Sequence, residues 1–186
     1  MRRRLMSEVE VSLDRQDRLV YVSARDPLTQ PLFDELAYEY SSRYAAYISE
    51  DELAKELVRY PVEAFAPPHG AFLLLLREGR AIAGGAFMRH HTPATAEFKR
   101  IWVSRAHRRQ GLARRVLAEL EAQAARQGYT RIHLGTGPRQ PEAVGLYRTS
   151  GYTLLSSHDF GEDAPPGVLF EKYLLPVQPV HAGNVE

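Results

Sequence analysis

The chain has 186 residues, 44% hydrophobic and 25% charged, with a formal net charge of +1 at pH 7, a balance that suits one soluble globular domain able to bury its own core. It contains no cysteine, which excludes disulfides, thiolate metal sites and a cysteine nucleophile together. The near-neutral charge gives no overall electrostatic case for a nucleic-acid partner or an anionic membrane.

Residues 1–17 open with three arginines, but Ser7, Glu8, Glu10, Asp14 and Arg15 interrupt every apolar run. The start therefore reads as a flexible arm and not as a signal peptide or membrane anchor, and a cytoplasmic protein is expected. One domain is expected over 18–175, with a loose, proline-bearing tail from Pro176. Arg18 to Ala24 reads as a short strand closed by Asp26-Pro27. Leu32, Phe33, Leu36, Ala37, Tyr40, Tyr44 and Tyr47 recur at three- and four-residue steps and predict a helix from Thr29 to Tyr47. A second helix should run from Ser49, a plausible cap ahead of Asp51 and Glu52, to Val58. The adjacent prolines at 67 and 68 make Phe65 to Gly70 a loop.

Two apolar runs, Ala71 to Leu76 and Ala81 to Arg89, flank Arg77-Glu78-Gly79-Arg80 and predict a hairpin. His90 and His91 follow; on a strand their rings would face opposite sides and could not share an ion. After a turn at residues 92–95, Ala96 to Val103 predicts a strand. Leu112, Ala113, Val116, Leu117, Leu120 and Ala124 mark one face of a helix over 110–127 that Gly128 should end. Arg131 to Leu134 predicts a strand, and Pro141 opens a short helix that stops at Gly151. Strands at 152–155 and 168–174 complete the series, separated by an acidic loop over 161–167. The fold class is α+β, a mostly antiparallel sheet of six to seven strands flanked by helices.

The local charge is less even than the total. Arg100, Arg105, Arg108, Arg109, Arg114 and Arg115 lie close together around the start of the helix at Gly111. The first amides of a helix lack internal partners and sit at the positive end of its dipole, so an anion is favoured there. Glycine and alanine at 111 and 113 allow close approach to backbone. A P-loop and a G-x-G-x-x-G fingerprint are both absent. The spacing Arg108-x-x-Gly111-x-Ala113 instead matches [QR]-x-x-G-x-[GA].

From Ala96 to Tyr152 the chain resembles the GNAT family of N-acetyltransferases. The landmarks are the strand ending at Val103, the arginine- and glycine-bearing loop, the helix with Leu117, the strand at Ile132 to Leu134 and the segment Ala143-x-x-Leu146-Tyr147-x-x-x-Gly151-Tyr152. The resemblance implies a sheet splayed at the acetyl-CoA site, with backbone amides of Arg109, Gln110, Gly111, Leu112, Ala113 and Arg114 around a pyrophosphate and Arg108 as a further coenzyme contact. It implies backbone pairing of Trp102 and Val103 with the pantetheine arm, and coenzyme contacts at Ala143 and at Gln140, where many members carry asparagine.

It further implies Tyr147 as the acid that protonates the departing thiolate and Glu97 as the base for the amine. The same positions would also suit a packed aromatic and an exposed strand glutamate beside Lys99 or Arg100. Arg43, Tyr44 and the loop from Phe65 to Phe72 are the places to expect acceptor contacts. The expected activity is acetyl transfer from acetyl-CoA to a primary amine of a small molecule or peptide by direct attack. The alternative is a non-catalytic acyl-CoA-binding module. No metal, nucleic-acid or membrane partner is expected, and a homodimer is compatible with the family.

Overall fold

The computed structural model describes residues 17–161, 163 and 165–174; the expected arm, apart from Asp17, and the expected tail lie outside the described residues. Seven strands form one sheet: β1 (Arg18–Tyr21), β2 (Ala71–Arg77), β3 (Arg80–Arg89), β4 (Thr95–Val103), β5 (Arg131–Thr136), β6 (Thr153–His158) and β7 (Gly167–Tyr173). Four helices accompany them: α1 (Gln30–Tyr44), α2 (Glu50–Val58), α3 (Leu112–Arg126) and α4 (Pro141–Thr149). The strand order is β1-β2-β3-β4-β5-β7-β6, antiparallel throughout except for β4 beside β5.

Local sequence explains most boundaries. Ser49 and Glu52 make a reciprocal capping box at the start of α2, and Gly128 takes the left-handed conformation that ends α3. The first helix stops at Tyr44, earlier than the aromatic spacing suggests, because the Tyr47 and Ile48 amides both fold back onto the Tyr44 carbonyl, at 2.8 and 2.9 Å. His90 and His91 lie beyond the end of β3, so strand alternation does not govern them. Their rings face each other with centroids 3.9 Å apart, against the expectation of opposite faces.

The sheet separates two cores. Phe72, Leu74 and Leu76 of β2 pack with Leu32 and Leu36 of α1, while Leu73 and Leu75 join Val116, Leu117 and Leu120 of α3. This is why β2 reads as an unbroken apolar run: both of its faces are covered. A Cβ at Gly85 would stand 2.6 Å from Ile101 Cδ1 and 3.0 Å from Leu120 Cδ1. Glycine there lets α3 lie close on β3 and β4.

Two irregularities mark β4, one of which opens the sheet. Its parallel pairing with β5 covers only Thr95↔Arg131 to Phe98↔Leu134, so the strands part beyond Phe98. On the other side Lys99 pairs with Ala86 and Trp102 with Gly84, leaving Arg100 and Ile101 opposite the single residue Gly85. This is a β-bulge, and Arg100 takes a left-handed φ of 60° within it. The extra residue resets which side chains face which layer. Ala96 and Phe98 face the α3 core before it, Ile101 and Val103 face that core after it, and Trp102 turns into the α1 core.

Candidate active site

Two clefts enter the splay. The first, about 710 Å³, runs from the start of α3 between β4 and α4 and is lined by Trp102, Val103, Arg108, Arg109, Gly111 to Arg114, Gln140, Ala143 and Tyr147, among others. Gly111 is the residue just before the helix, at φ +74°, and Arg109 is also left-handed, at φ +62°. The glycine expected in the first helical turn thus belongs to the turn itself, where a positive φ strains other residues. A Cβ at Gly111 meets nothing within 4 Å, so the space at the helix mouth is open. Arg115 is the first residue whose amide bonds within the helix, to the Gly111 carbonyl at 3.2 Å. The amides of Leu112, Ala113 and Arg114 have no partner among the described residues. Free amides, a helix dipole, small residues and arginines together fit a diphosphate.

The second cleft, about 690 Å³, lies on the other side of the splay. Tyr40 and Tyr44 from the end of α1, Tyr47 from the turn after it, Lys99 and Arg100 from β4, and Phe160 from the loop after β6 contribute to its walls. The Phe160 ring stacks on Tyr47 with centroids 4.4 Å apart. The two clefts share Leu36, Ile101, Gln140 and Tyr147.

The acetyltransferase (GNAT) family model matches residues 31–152, which takes in α1, the β4–α3 turn, both clefts' shared residues and α4. The chain belongs to the GNAT acetyltransferase family. The uncharacterised N-acetyltransferase YsnE of Bacillus subtilis is 32% identical over 100 residues, 52% of this chain and 66% of that protein. The IAA acetyltransferase of Azospirillum brasilense is 30% identical over 91 residues, 49% of this chain and 60% of that one. The match therefore spans under two thirds of the length of either relative. A GNAT acetyltransferase from Staphylococcus aureus Mu50 shares the fold with a TM-score of 0.66 at 14% identity, covering 85% of this chain and all of that one, 100%. The PaiA N-acetyltransferase of Thermoplasma acidophilum, solved with coenzyme A, gives 0.65 at 15% identity over 85% and 99%.

Within this GNAT frame the predicted coenzyme residues fall unevenly. Gln110 does not line the cleft; its side-chain oxygen accepts from Arg77 at 3.0 Å. Arg108 lines it, but its guanidinium is ion-paired with Glu39 and donates to the Val103 carbonyl at 3.4 Å. Gln140 stands just ahead of α4 with its carbonyl oxygen accepting from the Thr136 hydroxyl at 2.9 Å, and lines both clefts. The arginine cluster divides by direction. Arg108, Arg109 and Arg114 face the first cleft and Arg100 the second. Arg105 covers the Tyr38 ring, and Arg115 pairs with Asp17 at 3.0 Å.

Tyr147 sits where the clefts meet. It is 6% exposed, its ring packs against Tyr152 and Phe170, and no hydrogen bond to its hydroxyl occurs among the described residues. Burial first, and the neighbouring Tyr40 second, hold the phenol's pKa above its ordinary value. Glu97 lines neither cleft; its carboxylate is bound to Lys99 Nζ at 2.7 Å, and Lys99 lines the second.

Arg43 lines neither cleft. It pairs with Glu142 at 2.5 Å and Glu39 at 3.5 Å and donates to the Arg139 carbonyl at 3.0 Å, so it ties α1 to the start of α4. Tyr44 lines the second cleft with a buried hydroxyl that makes no hydrogen bond among the described residues, and burial pushes its pKa up. The loop from Phe65 to Phe72 is remote: both phenylalanines are buried in the α1 core, their rings edge to face.

Three residues that sequence reasoning passed over complete the site. Glu35 accepts from Trp102 Nε1 at 3.1 Å, Ser104 Oγ at 3.1 Å and the Arg105 amide at 3.0 Å, fixing the end of β4 to α1. Glu39, one turn on, holds Arg108. Two carboxylates four residues apart on a helix share a face, a pattern that signals a basic segment alongside. Phe160 gives no such signal, because it stands alone in a loop.

Proposed function

We propose that the chain is an acetyl-CoA-dependent N-acetyltransferase, transferring the acetyl group directly to a primary amine of a small molecule or peptide. The observation that carries this reading is the meeting of two clefts at Leu36, Ile101, Gln140 and Tyr147, one with a diphosphate cradle at its far end and one lined by aromatic and charged side chains. A carrier seated with its diphosphate at Gly111 and its arm along β4 would present its acyl carbon at the shared residues. An amine in the second cleft would approach that carbon from the opposite side.

The neutral amine nitrogen bonds to the thioester carbon, the carbon–sulfur bond breaks, and sulfur takes a proton. The net reaction of an ammonium with the thioester yields the amide, the free thiol and one released proton. Tyr147, protonated at neutral pH and with no hydrogen bond to its hydroxyl among the described residues, supplies the proton to sulfur and regains the one that the attacking nitrogen sheds as it becomes an amide. Unpaired backbone beyond Phe98 on β4 offers donors for the carbonyl oxygen, where charge develops. Glu97, standing behind Lys99, takes the ammonium proton through water. Arg109 and Arg114 neutralise the diphosphate, while Arg108, already held by Glu39, shapes the turn.

The test is thiol release from acetyl-CoA across a panel of amines. Turnover of at least one amine supports transfer. Tight coenzyme binding with no turnover on any amine would instead favour a non-catalytic acyl-CoA-binding module.

A further inference from the structure

Among the described residues the second cleft holds one buried cation with no carboxylate in contact with it. Of its charged groups, Lys99 is paired with Glu97 at 2.7 Å and Arg59 with Glu56 at 3.3 Å. Glu52 is spent on the α2 cap, accepting from the Ser49 amide and hydroxyl at 3.1 and 2.8 Å. Arg100 remains. It is 8% exposed, and no carboxylate pairs with it among the described residues.

Its Nη2 donates to the Glu56 and Leu57 carbonyls at 2.8 and 3.0 Å, closing the end of α2. That uses one nitrogen of a group with five donors. The Tyr40 hydroxyl is near enough for burial's upward push on the phenol's pKa to be opposed by the charge of Arg100 and by a hydrogen bond from it, which leaves further donors of the guanidinium for a ligand. The Tyr44 hydroxyl in the same cleft is buried and makes no hydrogen bond among the described residues, with the Arg139 backbone and the Gln140 side chain near it.

The bulge is what brings Arg100 here. Regular alternation from Ala96 and Phe98 would turn residue 100 toward the α3 core, where a guanidinium has no place. The left-handed φ costs roughly 1–2 kcal/mol for a residue with a side chain, and it delivers the charge to the α1–α2 side. Burying a cation without an anion is costly unless a partner arrives, and strain of this kind gathers where a ligand binds.

We infer that the acceptor carries a carboxylate seated on Arg100, and that it is an amino acid with an aromatic or long apolar side chain. The neighbouring residue Ile101 is shared with the coenzyme cleft, so Arg100 stands on the strand beside the place where the two clefts meet. Tyr44, Tyr47, Phe98 and Phe160 supply the apolar walls. This rests on the transferase reading above.

The experiment compares matched pairs by thiol release: phenylalanine against phenethylamine and phenylalanine amide, tyrosine against tyramine. For the wild-type chain the amino acid should exceed its carboxylate-free partner by at least about tenfold in kcat/KM, the worth of one charge-assisted contact. Arg100→Gln should bring that ratio close to one, and Arg100→Lys should keep part of it. Should Arg100→Gln fail to fold, the wild-type ratio decides alone. Equal or better acetylation of the carboxylate-free amines overturns the inference and leaves the transferase reading standing. Coenzyme binding with no acetylation of any amine removes both.

Discussion

Replacing Tyr147 by phenylalanine separates chemistry from packing more cleanly than any other change in the site. The ring stays in contact with Tyr152 and Phe170, and the lost hydroxyl has no hydrogen bond among the described residues. The usual loss of about 0.5–1.5 kcal/mol for a broken hydrogen bond is therefore absent, and Tm should move by no more than about 2 °C. Acid catalysis contributes about 10²–10⁴-fold, so kcat should fall at least about 100-fold, or about 2.7 kcal/mol of barrier, with the KM for acetyl-CoA little changed. The pKa gives a second check. Because burial raises it above the ordinary value of 10.0, the acid form persists as pH rises, and the wild-type rate should show no loss of the acid between pH 7 and about 9.5. Steady-state kinetics with thermal unfolding measures all of these. A variant within threefold of wild type in kcat, at matched stability, would refute the assignment.

Gly111→Val places a β-branched residue at φ +74°, with open space around the new side chain. It should cost about 1–2 kcal/mol in strain and weaken coenzyme A binding at least about tenfold by calorimetry; unchanged binding would misplace the diphosphate. Glu97→Gln should lower kcat/KM most at neutral pH and progressively less as pH rises, because more of the amine is then neutral without a base. A pH–rate profile parallel to wild type would remove Glu97 from the mechanism. Glu35→Ala strands the Trp102 N–H, the Ser104 hydroxyl and the Arg105 amide. It should destabilise the chain by about 1–3 kcal/mol in denaturant unfolding and loosen coenzyme binding along with it; an unaltered midpoint would argue that water replaces the carboxylate.

The half of the site that the sequence announces is the half built from neighbouring residues. From Thr95 to Arg126 one strand, one turn and one helix follow directly, so a motif in the turn specifies a place in space. Gly111 and Ala113 could be assigned a role from their position ahead of an apolar helical face, and both line the cleft. The second cleft is assembled from the end of α1, the bulge of β4 and the loop after β6, which no local pattern connects. The place of Arg43 among the tyrosines points to this cleft, yet Glu39 and Glu142 hold it elsewhere. Sequence proximity groups Arg100 with the arginines around the turn, since strand periodicity carries no mark of the extra residue that turns it away. Sheet order was likewise out of reach from periodicity: that β7 lies between β5 and β6 depends on long-range pairing.

The geometry of entry bears on how turnover would be organised in time. On the proposed reading, donor and acceptor would reach the reacting centre through separate clefts that share, among the described residues, Leu36, Ile101, Gln140 and Tyr147. Neither need vacate its seat before the other arrives, and spent carrier can withdraw past Gly111 while the amide still occupies the aromatic pocket. Rates measured against both concentrations should then trace a family of lines that intersect, with the chain never holding the acyl group alone.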